Sequence, residues 1–599
     1  MRRLRIPRLR LSLPLPPRIV RLVDDLRRKE THLALVLSLV LGALVGLVVV
    51  AFILLTGRLA AHAYPAGGAG WRRILIPTVG SLVSGYLLFR YFPLARGSGI
   101  PQTRAAVFIH DGRISLRSVI GKFICCSTSL ASGIPLGREG PAVYIGSGLA
   151  SVIARRLGLS KAQVKWLVPV GGAAALSAAF NTPIAAVLFT LEEIMGDLHA
   201  PVLGSVVLAS ATAWMVLHLV LGDNPLFHVA GYHLVSLGEL GIYVVLGIVG
   251  GLVSVGFVKL LLWLRARFAR LPTSSVWFQP VIGGLSVGLI GYFVPQVLGV
   301  GYDQVERVLN GDVLLKAVAL LALLKIIATA VAYASGNAGG IFGPSLFIGA
   351  MVGATVGSVA HMLFPGSTAG PGAYALVGMG AAFAGIIRTP LTSVIMIFEV
   401  TRDYTIIVPL MISNLIAFFI SQKLQPEPIY EALAHQDGLH LPTGAFRSPA
   451  GLWVSSAMRK APLAFTPEMK VDEAAELAQK TDLESWPVAD EEGLLGMVRL
   501  TDVISATLGS QRPVTIATIM KRARGPNADD EPIVFPHVHG DQPLGLALAR
   551  MGDSGHNVLP VVSRANARLM VGVVALTDVL KSYGVDTTRM TPPRGMVRQ

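Results

Sequence analysis

The sequence predicts an all-α polytopic membrane domain made of two copies of one helical unit, followed by a smaller α/β module. Three observations carry this. The 599-residue chain is 53% hydrophobic and only 14% charged, with a mean hydropathy of +0.62, too apolar for a soluble protein of its size. One pattern occurs twice within apolar sequence: Gly137-Arg138-Glu139-Gly140-Pro141 with Tyr144-Ile145-Gly146, then Gly340-Ile341-Phe342-Gly343-Pro344 with Phe347-Ile348-Gly349. Beyond about residue 423 the composition becomes mixed, and short apolar strands alternate with amphipathic helical stretches.

The duplication extends past the Gly-Pro pairs. Gly171-Gly172-Ala173-Ala174-Ala175 runs through Thr182-Pro183 to Glu192, and Gly378-Met379-Gly380-Ala381-Ala382 runs through Thr389-Pro390 to Glu399. The shift is 203 residues from Pro141 to Pro344 and 207 from Pro183 to Pro390, so only four residues are inserted between the blocks of the second copy. A duplicated membrane unit with Gly- and Pro-broken helices places its functional site at the repeat interface.

Along the chain, ten basic residues between Arg2 and Lys29 precede the first long apolar run, 33–55. That run is long enough to cross a bilayer. The small-x-small triplet Ala61-His62-Ala63 follows it. The length of the run and the apolar segments after it favour a membrane helix over a cleaved signal. The basic arm places the N-terminus in the cytoplasm by the positive-inside rule, with anionic lipid binding as the alternative role. Further apolar runs lie near 73–90, 118–135, 142–157, 164–195, 202–221, 239–264, 279–298, 313–334, 341–364, 373–399 and 405–421. Several are short or punctured by Gly and Pro, as in helices that line a cavity or are buried in protein.

Three turns hold the chemistry. Gly97-Ser98-Gly99-Ile100-Pro101 is Gly-rich, with a proline suited to the first position of a helix, and Gly140-Pro141 and Gly343-Pro344 have the same form. Helix N-termini built from small residues present free N–H groups and positive dipole ends, which stabilise an anion without a full counter-charge and so let it leave. Glu139 stands in one of these turns, where its carboxylate would take the place of an anion and, once protonated, give it up. The alternatives are a structural pair with Arg138 or an exposed loop. Glu192 and Glu193 end the stretch that opens at Pro183. Glu192 is matched by Glu399 and reads as a structural helix-end acid. Glu193 is the asymmetric one, a second proton station or a solvated helix end.

Other classes are disfavoured. The net charge is +16, but residues 423–599 hold 18 basic and 20 acidic side chains, and no basic stripe with interleaved aromatics suggests nucleic acid. Cys125 and Cys126 are adjacent and read as packing residues, with neither metal spacing nor a crosslink. The only close histidine pair, His537-x-His539, reads as loop. No His or Ser partner for Glu139, zinc motif or phosphate loop supports an intramembrane enzyme. An anchor for a nucleotide sensor would not need a dozen spans.

The C-terminal module repeats too. Val454-Ser455-Ser456-Ala457-Met458 resembles Ile516-Ala517-Thr518-Ile519-Met520, and Trp486-Pro487-Val488 resembles Leu559-Pro560-Val561. The stretch from Gly496 to Thr501-Asp502-Val503 matches that from Gly572 to Thr577-Asp578-Val579. Each unit reads as helix, strand, strand, then Thr-Asp opening a helix. This resembles a tandem pair of CBS domains, and the resemblance implies that Thr501 and Asp502, or Thr577 and Asp578, can hold the ribose of an adenine nucleotide. The alternative is that they only cap helices.

Over about 30–435, Gly-Ser-Gly-Ile-Pro at 97–101, Gly-Arg-Glu-Gly-Pro at 137–141, Gly-Gly-Ile-Phe-Gly-Pro at 339–344 and the late Tyr430 together resemble the CLC family of chloride channels and chloride/proton antiporters. The resemblance implies a homodimer in the bilayer, one pathway per subunit, each of two inverted halves. It implies a central chloride held by the hydroxyls of Ser98 and Tyr430 and the N–H groups of Ile341 and Phe342, between the turns of Gly97 and Gly140. It makes Glu139 the external gate and Glu193 the internal proton acid, the second of its pair. Ser98 rather than proline favours chloride over nitrate, and the fluoride branch departs from this pattern. Gln102 stands where many relatives have Glu, a departure that leaves the anion contacts untouched. The expected organisation is a basic cytosolic arm (1–30), a transport domain (31–435), a linker (436–452), CBS 1 (453–510), CBS 2 (511–586) and a tail (587–599). Both termini are expected in the cytoplasm and the protein in an inner or plasma membrane, with no cofactor beyond that nucleotide. The expected activity is chloride/proton exchange; the alternative is a voltage- or pH-gated passive chloride channel on the same fold.

Overall fold

The computed structural model describes residues 30–439 and 452–583, apart from short stretches of which 523–535 is the longest. The basic arm up to Lys29, most of the linker and the 587–599 tail lie outside the described residues. The chain divides into two compact units, Met1–Leu441 and Pro442–Gln599.

Among its described residues the first unit is built of helices and carries the duplication element by element. The first half contains α1 (Glu30–Ala63), α2 (Arg72–Arg90), α3 (Ile100–Phe108), α4 (Leu116–Ala131), α5 (Glu139–Arg156), α6 (Lys161–Phe180), α7 (Pro183–Phe189, continued by a π-helical turn Thr190–Met195) and α8 (Leu203–Leu221). The second half repeats the order as α9 (Glu239–Ala269), α10 (Gln279–Phe293), α11 (Tyr302–Leu309), α12 (Leu315–Ala334), α13 (Phe342–Leu363), α14 (Pro371–Ile386), α15 (Pro390–Thr401) and α16 (Ile407–Leu424), followed by α17 (Ile429–Gln436). Among the described residues, six helical segments are long and apolar enough to span a bilayer: Ala34–Ala63, Leu203–Leu221, Glu239–Ala269, Leu315–Ala334, Phe342–Leu363 and Ile407–Gln436. The expected 164–195 run is two elements, because Asn181 adopts a left-handed conformation (φ 61°) and Pro183 restarts the helix. Arg388 does the same before Pro390 in the second copy (φ 68°).

Small residues let the helices approach. A Cβ on Gly146 would lie 2.3 Å from the Gly171 carbonyl, and one on Gly349 would lie 2.4 Å from that of Gly378. The Gly-rich blocks of the repeat are therefore the crossing points of α5 with α6 and of α13 with α14. Without a strong hydrophobic drive between helices in lipid, such close backbone contact is what holds them. The outward faces are apolar, with Leu35, Val36, Leu39, Val40 and Leu47 exposed along α1.

Among its described residues the second unit holds two three-stranded antiparallel sheets. One is β2 (Ser485–Asp490), β3 (Gly493–Arg499) and β4 (Lys521–Arg522); the other is β1 (Arg459–Lys460), β6 (Met570–Ala575) and β5 (Val558–Val562). Helices α18 (Val471–Gln479), α19 (Leu500–Leu508), α20 (Leu544–Ser554) and α21 (Leu576–Ser582) give each half the expected helix, strand, strand, helix order. The opening strands are exchanged: β1 pairs with β6, and β4 with β3. A cut at 510/511 therefore divides the sequence repeat but not the sheets. Trp486 is buried and stacked on Phe465 at 5.4 Å in the first core.

Candidate functional site

The two Gly-Pro copies meet. Gly137 N–H donates to the Gly340 carbonyl at 2.6 Å and Gly340 N–H returns the bond at 2.7 Å. A Cβ on Gly140 would lie 2.5 Å from the Ser98 carbonyl, so the third turn packs onto the same point. The first residue of α3 is Ile100, of α5 Glu139 and of α13 Phe342. The prolines thus sit at the second position (Pro101) or the third (Pro141, Pro344), not the first as their turns suggested. A missing N–H costs nothing anywhere in a first helical turn, so sequence leaves this position open.

Glu139 is fully buried and its carboxylate lies at the N-terminus of α13. Its Oε2 accepts from Gly343 N–H at 3.2 Å, and its Oε1 accepts from the Tyr302 hydroxyl. Arg138 does not take part. Its guanidinium reaches the Ala179 carbonyl at 3.5 Å and lies 5.4 Å over the Tyr302 ring. The hydroxyls of Ser98 and Tyr430 are buried; that of Tyr430 has no hydrogen-bond partner among the described residues, and that of Ser98 has only the Tyr333 phenol beside it. Such groups are costly unless something polar meets them. Tyr430 lies within electrostatic reach of both Glu139 and Glu193. Ile341 caps α13, and the Phe342 ring is clamped by Phe180, Phe189 and Phe383 at 4.7, 5.4 and 4.4 Å. Gly97 (φ 79°) and Gly99 (φ 106°) make the tight turn that aims the α3 N-terminus inward, a conformation that side chains with a Cβ resist.

The adjacent acids Glu192 and Glu193 part company in the π-helical turn. Glu192 crosses to the second repeat, where its carboxylate accepts from Thr392 N–H at 2.9 Å and Thr392 Oγ1 at 2.7 Å. Glu399 returns the favour, accepting from Ile184 and Ala185 N–H at 2.9 and 2.7 Å. Each acid caps the helix that opens the other repeat's block, which is the structural role expected of Glu192. Glu193 is buried and paired with Arg104 of α3, whose Nη1 lies 2.7 Å from its Oε1.

The sequence reading missed four features. Gly299 (φ 66°) and Gly301 (φ 86°) form a turn before α11 that mirrors Gly97 and Gly99. Tyr302 follows it. Lys122 and Lys325 are fully buried mates at the 203-residue shift. Lys122 donates to the Arg96 and Gly97 carbonyls at 3.1 and 2.7 Å and lies 5.2 Å from the Tyr144 ring. Lys325 donates to Val297, Gly299 and Val300 at 3.0, 2.7 and 3.1 Å and lies 4.3 Å from the Phe347 ring. Each ties down the turn before a short helix. Arg104 is the fourth.

In the second unit, Asp578 is held by Arg459 through two charge-assisted bonds, Nε–Oδ2 at 2.8 Å and Nη2–Oδ1 at 2.9 Å. Asp502 and Thr501 stand in the first turn of α19. His537 and His539 lie ring to ring at 5.4 Å, and no metal-holding group occurs among the described residues.

Fold and convergent helix termini define an integral membrane protein built on a duplicated helical core with an appended α/β pair. The voltage gated chloride channel model matches residues 80–422, and the CBS domain model matches 454–509 and 530–584. The chain therefore belongs to the voltage-gated chloride channel family and carries a tandem of CBS domains. It is 34% identical to a putative chloride channel protein ClcB-like from Ralstonia nicotianae over 62% of this chain and 88% of that one. It is 31% identical to the H(+)/Cl(-) exchange transporter ClcA of Vibrio campbellii over 61% and 79%. Among solved structures, a slow cyanobacterial Cl-/H+ antiporter superposes with a TM-score of 0.63 at 26% identity, over 67% of this chain and 97% of that one. A eukaryotic CLC transporter shares the fold at 20% identity and a TM-score of 0.63, over 93% and 98%.

Proposed function

We propose that the protein exchanges chloride for protons across a membrane, with Glu139 as the external gate. The observation that carries this reading is the seat of the Glu139 carboxylate on the N–H of Gly343, with the buried hydroxyls of Ser98 and Tyr430 at the same convergence. A carboxylate in that place is a tethered anion. Protonation removes its charge and its claim on the helix terminus, and chloride takes the place with the help of the two hydroxyls and the N–H groups of Ile341 and Phe342. Glu193 passes the proton on the other side. The homodimer, the cytoplasmic termini and the inner or plasma membrane location belong to the same proposal, supported by the family and the basic N-terminal arm. The test is the reversal potential of the reconstituted protein in a fixed chloride gradient with an imposed pH gradient. We expect it to move with the pH gradient. A value fixed at the chloride equilibrium potential at every pH gradient would favour a passive channel.

The CBS pair modulates transport and does not perform it, since the candidate anion and proton residues all lie before residue 431. If an adenine nucleotide is the effector, its ribose contact falls to Asp502 with Thr501, because Arg459 already occupies Asp578, which with Thr577 then serves the fold. Calorimetric titration of the full-length protein with ATP, ADP and AMP is expected to give binding that Asp502→Ala abolishes and that leaves ion selectivity unchanged. No heat at millimolar nucleotide would leave the pair a structural role.

A further inference from the structure

We propose that Tyr302 is the latch of Glu139, a positioning residue whose hydroxyl holds the carboxylate on the outer side of the anion path and sets the pH at which exchange turns on. The proposal rests on the reading of Glu139 as the gate. Each carboxylate oxygen takes one donor, and the two donors come from different elements of the second repeat: the hydroxyl of Tyr302 at the start of α11 and the N–H of Gly343 at the start of α13. The Tyr302 ring is not free to swing. Phe227 meets it edge-on at 5.6 Å, Arg138 covers it at 5.4 Å, and Lys325 binds the carbonyls of the turn before it.

The repeat supplies an independent argument. By their shared turns, Tyr302 is the mate of Ile100, and Glu139 is the mate of Phe342. Both mates are apolar. The elements repeat in both halves, but Glu139 stands where its mate is an aromatic side chain and Tyr302 where its mate is an aliphatic one, and the two bond to each other. Structural duty alone does not call for that coupled change, since Ile100 and Phe342 serve the same backbone positions. A cavity of about 550 Å³, lined in part by Arg72, Arg73, Gly299, Val300, Gly301 and Asp303, opens onto the turn that carries Tyr302.

The sign of the effect follows from the donor. Among the described residues, Tyr302 on α11 and Tyr430 on α17 lie within electrostatic reach of Glu139, and the guanidinium of its neighbour Arg138 is turned to the Ala179 carbonyl and the Tyr302 ring. A phenol O–H bonds an ionised carboxylate more strongly than a neutral acid. It therefore favours the seated, charged state, and removing it lets Glu139 take its proton and leave at a lower proton concentration. In liposomes holding the full-length protein, Tyr302→Phe is expected to raise the pH of half-maximal chloride flux by roughly one unit. The proton-to-chloride ratio should be kept, because the carboxylate still carries the proton. In a Glu139→Gln background the same change should no longer move the pH profile. A Tyr302→Phe profile that coincides with wild type would overturn the latch. So would an equal displacement in the Glu139→Gln background, which would trace the effect to ring packing. Intact proton flux in Glu139→Gln alone would instead overturn the gate reading, so the two failures are distinguishable.

Discussion

Glu139→Gln is expected to keep chloride moving, stop proton movement and flatten the pH dependence. The wild-type carboxylate is seated by two donors, Gly343 N–H and the Tyr302 hydroxyl, and hydrogen bonds to a charged group contribute roughly 1.5–3 kcal/mol each. A glutamine offers one oxygen and one NH₂ group. With its oxygen on Gly343 N–H and its NH₂ donating to the Tyr302 hydroxyl oxygen, it makes only neutral hydrogen bonds, weaker than the charge-assisted ones of the carboxylate. It also has no charge for the α13 N-terminus to hold. The side chain then loses its seat at every pH, as the protonated acid does only at low pH, and the helix terminus is left to chloride. Because the amide takes up no proton in this range, no proton accompanies the exchange. Chloride efflux and proton pumping measured side by side in liposomes check this. Proton pumping that survives the substitution would remove Glu139 from the gate.

The repeat made the centre of the site legible, because Gly-Pro pairs and blocks of small residues are needed by backbone approach and survive as sequence identity. Gly299-Val300-Gly301-Tyr302 was not legible, although it builds the same turn as Gly97-Ser98-Gly99-Ile100. Only its glycines are shared, and the turn needs only those, so the two side chains that differ hid the match. Lys122 and Lys325 were lost inside apolar runs. Their common shift with Tyr144 and Phe347 was a readable signal, since a buried ammonium needs both carbonyl partners and an apolar or aromatic wall. The Arg104–Glu193 pair joins residues 89 positions apart through the way α3 packs by the π-helical turn, and no local pattern announces such a contact. The Arg459–Asp578 pair depends on strand exchange, which a repeat read as two consecutive units assigns to the wrong half.

Glu193→Gln is expected to cut proton transport by roughly tenfold or more while chloride movement continues, since a positioned proton-transfer group commonly contributes at least that much. Glu193 and Glu192 are neighbours in sequence, yet their surroundings separate their roles. The Glu192 carboxylate is spent on Thr392 in the opposite repeat, where Glu399 makes the reciprocal cap, so Glu192→Gln should weaken a helix end and disturb proton flux less. The Glu193 carboxylate faces Arg104 and has Glu431 in electrostatic reach, a small buried cluster that can exchange a proton without dismantling a cap. Removing one partner of a buried pair outright costs about 3–5 kcal/mol. Glutamine avoids most of that cost, because its amide oxygen still accepts from Arg104 at the place of Oε1. The fold should therefore survive, and the change in proton flux reports on protonation and not on unfolding. Proton and chloride fluxes of the two single variants decide between the acids. Loss of proton flux in Glu192→Gln with none in Glu193→Gln would reverse the assignment. Undiminished proton flux in both would leave proton entry without either acid, and the Arg104–Glu193 pair would then be a purely structural tie between α3 and the π-helical turn.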